Sequence, residues 1–149
     1  MPRRFPLQTL LDFALNQTDE AARSLHALKA HWTEVADRLE QLRDYQKDYQ
    51  QRLEEAISEG MRIATLRDYQ AFLAKIEVAI KQQQEELERS KQRWESGRTA
   101  WHTQKRKLSA YDILSSRHHT NEMQRESRIE QRVQDELAMK SFQHKDEHE

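Results

Sequence analysis

The chain has 149 residues, 36% hydrophobic and 34% charged, with only 2 glycines and 2 prolines. That is too few breakers for a sheet protein, which turns about every 8–12 residues. No cysteine means no disulfide framework and no thiolate chemistry, compatible with a reducing compartment. A net charge of -1 offers no basic surplus for sequence-independent nucleic-acid binding, and no run approaches the ~20 apolar residues of a membrane span.

The opening MPRRFPLQTLLDFAL lacks a continuous apolar stretch and a small-residue cleavage site, so no signal peptide is expected. From Leu7, alternate steps of four and three residues pass through Leu11, Ala14, Thr18, Ala21, Leu25, Leu28, Trp32, Val35, Leu39, Leu42, Gln46, Tyr49, Leu53 and Ala56. This is a heptad seam with Leu11 at a and Ala14 at d, polar only at Thr18 and Gln46. Although the mean hydropathy of -1.12 is low enough to suggest disorder, so sustained a period argues for a helix.

Ser58-Glu59-Gly60 supplies a stop, since glycine tolerates the left-handed conformation that closes a helix. Thr65 is the expected N-cap of a second helix, with Asp68 three residues on. There the a positions are Leu66, Leu73, Ile80, Leu87, Trp94, Trp101 and Leu108. The d positions are Tyr69, Ile76, Gln83, Ser90, Gly97, Gln104 and Tyr111. LRDYQ occurs at Leu42–Gln46 and at Leu66–Gln70, but Leu42 is a d residue and Leu66 an a residue. The copies therefore flank a turn and are not a repeat in phase.

The reading is all-α: two long helices forming an antiparallel coiled-coil hairpin, with a C-terminal helical overhang. The expected bounds are a first arm over about 6–57, a turn over about 58–64, a second arm over about 65–140 and a disordered tip over 141–149. Facing residue numbers should add to about 122. Trp101 then meets Ala21, Trp32 meets Ser90, Leu25 meets Gly97, and polar Thr18 meets polar Gln104. Large against small lets the helices approach, and a polar layer fixes register. Leu7 reaches Ser115, so later residues are expected to lack a first-arm partner. Ile129, Val133 and Leu137 form one narrow stripe there.

Chemistry-bearing motifs are sparse. GxxxxGK[ST] and GxGxxG are absent. His118 and His119 point to different helix faces, and His26, His31 and His102 lack a ligand partner at i, i+4. No cofactor, metal site, catalytic residue, nucleic acid or small-molecule substrate is expected, and the protein is not read as an enzyme. The three tryptophans all sit at a, as core. Tyr45 and Phe72 instead fall at g, on a rim shared with Arg38 and Ala79, where aromatic side chains either cover the seam or anchor a docking partner.

LQTLLDFA and DEAARSL near the start, LRDYQKDY before the turn, DYQAFLAKIEVAI after it and ESRIEQRVQDELA near the end resemble the FliJ family. These are small coiled-coil proteins of the bacterial flagellar type III export apparatus. The resemblance implies a non-catalytic stalk that engages the hexameric export ATPase ring, links it to the membrane export-gate protein and binds or escorts export chaperones. It implies a cytoplasmic protein, peripheral on the inner membrane at the flagellar base, serving motility and chemotaxis. The family's gate-docking surface maps onto Leu42, Tyr45, Tyr49, Phe72, Ile76 and Ala79, while Arg38 and Gln83 lie where its pattern varies. Glu126, Arg128, Glu130, Gln131, Arg132, Asp135 and Glu136 match its C-terminal motif, implying an ATPase side. The alternatives are the stalk protein of a virulence-type secretion system, and a self-associating structural coiled coil.

Overall fold

A computed structural model describes residues 1–147. Two helices account for most of them, α1 over Gln8–Glu59 and α2 over Ile63–Asp146, with no strand among the described residues. The chain divides into two compact units. One is Glu20–His102, and the other pairs Met1–Asp19 with the chain from Thr103 onward.

Pro6, with its fixed φ and missing N–H, stands just ahead of α1. At the other end Gly60 takes φ 98° and donates its N–H to Ile57 O at 3.2 Å. Nothing lies within 4 Å of where a Gly60 Cβ would stand, so the glycine is required by conformation and not by crowding.

The second helix starts earlier than Thr65. Leu66 N–H already donates to Arg62 O at 3.0 Å, which puts Thr65 inside the first turn and makes Arg62 the capping residue. Ile63 and Ala64 do not oppose a helix, and Gly60 through Arg62 suffice to reverse the chain. The tip also differs from expectation. Residues 141–146 are helical, which extends the helix-forming composition of the preceding turns; His148 and Glu149 lie outside the described residues.

In Glu20–His102 the predicted seam is the buried face. Val35 is 2% exposed, and Leu39, Ile76 and Ile80 form a core against which Leu42, Tyr49, Leu73 and Leu87 pack. The contacts Tyr49–Phe72 and Leu25–Gly97 fall within about one residue of the expected register. Seam glutamines are satisfied across the pair: Gln83 Nε2 donates to Val35 O at 3.2 Å and Gln46 Nε2 to Glu77 Oε2 at 2.7 Å.

One layer packs differently. Trp32 stacks on Trp94, with ring centroids 5.2 Å apart, rather than pairing with Ser90 alone. Side chains lean toward the N-terminus of their own helix, and in antiparallel helices those leanings converge. Ser90 is left 1% exposed, its hydroxyl donating to Glu86 Oε1 at 3.3 Å.

In the other unit, Ala14 and Thr18 are buried on α1. The Thr18 hydroxyl donates to Ala14 O at 2.7 Å, so it is satisfied within its own helix and is not held by a polar layer with Gln104. The larger correction concerns the residues after Ser115. They do have a partner, because the segment ahead of α1 runs on along α2. Arg3 N–H donates to Glu122 Oε2 at 3.0 Å, His118 Nε2 lies 2.9 Å from Arg3 O, and the Phe5 and His118 rings are 5.6 Å apart. The Met1 ammonium is 3.5 Å from Glu126 Oε1. Only from Ser127 through Glu147 is every residue exposed.

Candidate functional site

Near the turn, heptad phase brings four aromatic rings together. Tyr49 at d lies between the arms, its ring centroid 5.1 Å from Tyr69 and 4.6 Å from Phe72. Tyr45 leans on this stack from outside, edge-on to Phe72 at 6.2 Å and 6.3 Å from Tyr49. Such pairs hold one another beyond simple burial. Tyr45 remains 49% exposed and Phe72 36%. Burial raises the pKa of Tyr49 above its ordinary value, with Tyr69 and Tyr45 adding to the effect. Tyr49 is therefore a neutral hydroxyl at neutral pH.

The six residues assigned to gate docking occupy three depths. Tyr45 and Phe72 are open, Leu42, Tyr49 and Ala79 are half-buried, and Ile76 is core at 6% exposure. Ile76 can support such a surface from beneath but presents almost nothing to a partner. A shallow groove beside Tyr45 is lined by Leu42, Gln41, Arg38 and Gln83. Arg38 and Gln83, unassigned from sequence, thus share the surface with Tyr45. Their signal was visible in the heptad: Arg38 is a g residue like Tyr45, and Gln83 is a polar residue at a seam d position.

The second set lies at the far end of α2. Arg128, Glu130, Gln131, Arg132, Asp135 and Glu136 are all exposed, as are Ile129, Val133 and Leu137. Glu126 is only half-buried and is held by the Met1 ammonium. One turn earlier Glu122 is 8% exposed, and Arg125 Nη2 donates to it at 3.0 Å. The Arg3 N–H foremost, then Arg125, holds the Glu122 carboxyl below its ordinary pKa against the opposing effect of burial.

Sequence reasoning missed this N-terminal clamp. Pro2 and Pro6 forbid a regular helix there, and Phe5 between them was the one cue that the segment packs. Among the described residues, no helix is long and apolar enough to cross a membrane, and no three His, Cys, Asp or Glu side chains converge on a metal position.

The fold defines the class: an all-α coiled-coil hairpin with a helical C-terminal extension. Over residues 3–147 the sequence matches the family described as Flagellar FliJ protein. It is 30% identical over 141 residues to the flagellar FliJ protein of Escherichia coli (strain K12), covering 95% of this chain and 96% of that one. Against the flagellar FliJ protein of Salmonella typhi it is 29% identical over 147 residues, 99% of this chain and all of the other. The chain belongs to the FliJ family of flagellar proteins.

Proposed function

We propose that this protein is a non-catalytic component of flagellar protein export, working as a stalk between an export ATPase ring and the membrane export gate and handing on export chaperones. The observation that carries the reading is the family match across residues 3–147. The bare helix from Ser127, with Glu130, Arg132 and Glu136 exposed, supplies the surface assigned to the ATPase ring. The rim at Tyr45 and Phe72 supplies the surface assigned to the gate. In this reading the protein works at the cytoplasmic face of the inner membrane.

The test is capture of partners from cells by the tagged full chain. Export ATPase and gate protein should co-purify with the wild type. Tyr45→Ala with Phe72→Ala should weaken gate capture by roughly 30-fold, the equivalent of about 2 kcal/mol for interface anchors, while leaving the ATPase bound. Charge reversal at Glu130, Arg132 and Glu136 should do the opposite. Loss of both partners with either set, while helicity is retained, would show that the two surfaces are not separate. Sedimentation as an elongated monomer excludes the self-associating alternative, and a concentration-dependent dimer would revive it.

A further inference from the structure

In an antiparallel helix pair, the positions flanking the seam face one another edge to edge. Opposite charges there add stability, and like charges subtract it. Along one edge of Glu20–His102 the flanking residues are Ala22 and Lys29 on α1 and Lys91 and Arg98 on α2, all exposed. Among the described residues no carboxylate pairs with any of these three cations. Lys29 Nζ instead lies 4.3 Å from the Trp32 ring centroid and 5.0 Å from that of Trp94. Arg98 Cζ lies 5.7 Å from the Trp94 ring.

Ala22, Leu25, Trp94 and Trp101 line an open groove beside these cations, with His26 and Lys29 completing its wall. Arg89 and Arg93, on the same stretch of α2, are tied to Glu86 and leave that edge to Lys91 and Arg98. The near-neutral net charge of the whole chain hides this local excess. Within the hairpin Lys29 and Arg98 gain only their contacts with the tryptophan rings, while Lys29 and Lys91 share one edge above an apolar floor that stays open.

We propose that this groove is a docking surface for an acidic amphipathic helix of a partner protein. A trough between two helices accepts a third helix that lays an apolar stripe into it, and Ala22 leaves room for close approach. The long stems of Lys29 and Arg98 let their heads swing from the tryptophan faces to the partner's carboxylates, uncovering rings of the kind that anchor interfaces. An anionic membrane, being flat, would meet the cation heads and leave Leu25 and Trp101 uncovered. The inference rests on the chemistry of the groove and not on the identity of any export partner.

All 3 tryptophans of the chain are Trp32, Trp94 and Trp101, so its intrinsic fluorescence reports on this region. The probe is a Trp-free, lactam-stapled synthetic helix with a leucine stripe at i, i+3, i+4, i+7 and glutamate and alanine elsewhere, titrated into the full chain. The expected result is a saturable change in tryptophan emission. It should weaken at least ~10-fold when Lys29→Glu and Arg98→Glu are combined, and also as salt rises from about 50 to 300 mM. The same peptide with lysine for glutamate should not bind. Because both substituted residues are exposed, helicity should persist; should the double variant unfold, Arg98→Gln alone must still weaken binding. Equal binding of the two peptides, no saturable binding, or insensitivity to the substitutions overturns the proposal. So does a response only to phosphatidylglycerol vesicles, which would make the edge a membrane contact.

Discussion

Two apolar stripes on α2 have opposite fates. Leu73, Ile80 and Leu87 recur every seventh residue and meet α1, leaving Ile80 only 5% exposed. Ile129, Val133 and Leu137 recur every fourth residue and stand 48%, 51% and 61% exposed. Both stripes are continuous on a helix face, so spacing explains the face but not its burial. What separates them is a partner at the right distance along the chain, with a matching seam. The first stripe is a solved packing problem and the second an open one.

The sharpest way to break the contrast is to truncate one residue in each. Ile80→Ala should cost about 2–5 kcal/mol, the loss of a buried branched side chain plus its cavity. Val133→Ala should stay within about 0.5 kcal/mol, as exposed substitutions do. Urea denaturation followed by far-UV dichroism measures both. A comparable loss at Val133 would mean that the tail is covered after all.

Overfilling tests the closeness of the covered face. A Cβ on Gly97 would already lie 2.7 Å from Leu28 Cδ1 and 3.7 Å from Leu25 Cδ1. Gly97→Phe should therefore destabilise by about 1–3 kcal/mol despite the better helix propensity of the new residue. Gly97→Ala should fall near neutral, because a leucine tip can move aside. A Gly97→Phe variant as stable as the parent would place Leu25 and Leu28 elsewhere.

The two LRDYQ copies carry the same comparison down to single residues. Tyr69 sits in the seam against Tyr49, whereas Tyr45 sits on the rim and is 49% exposed. Tyr69→Ala should lower stability by about 2 kcal/mol, as a partly buried aromatic does. Tyr45→Ala should cost less than about 1 kcal/mol, the worth of its edge-on contact with Phe72. If thermal melts ranked them the other way, the heptad phase on one arm would be wrong.

These cases also show what the sequence could reveal. Every seam position from Leu7 to Ala56 and from Leu66 to Tyr111 is buried or half-buried, because a heptad is a local code for a face. The rim position of Tyr45 followed from the same phase. Trp32 meeting Trp94 did not, since it depends on the lean of side chains and not on register. The burial of Ile76 did follow from its d position, and only the resemblance had assigned it to docking. The Arg3–Glu122 contact was beyond any periodic reading, being a backbone donor in a proline-bounded segment meeting a side chain 119 residues away.

That contact sets the smallest and most local expectation. The Glu122 carboxylate accepts the Arg3 N–H and an Arg125 hydrogen bond, each of which favours the ionised form. Its pKa in the folded chain is therefore lowered from the ordinary 4.5. A carboxyl with a depressed folded pKa stabilises fully above its unfolded value, and that contribution is lost as pH falls through the folded value. The N-terminal segment should hold its place from neutral pH down to about 4.5 and let go progressively below it. The apolar core at Leu39, Ile76 and Ile80 should stay folded through the same range, although Glu86, likewise held below its ordinary pKa by Arg89 and then His31, loses its own contribution there. The Arg3 amide resonance, followed from about pH 6 to pH 3, should move with the release, and Glu122→Gln should abolish that movement and free the segment already at neutral pH. A flat Arg3 titration in the wild type would mean that His118 and Phe5 hold the segment without the carboxylate, and that the exposed stretch of α2 begins at Ser127 at every pH.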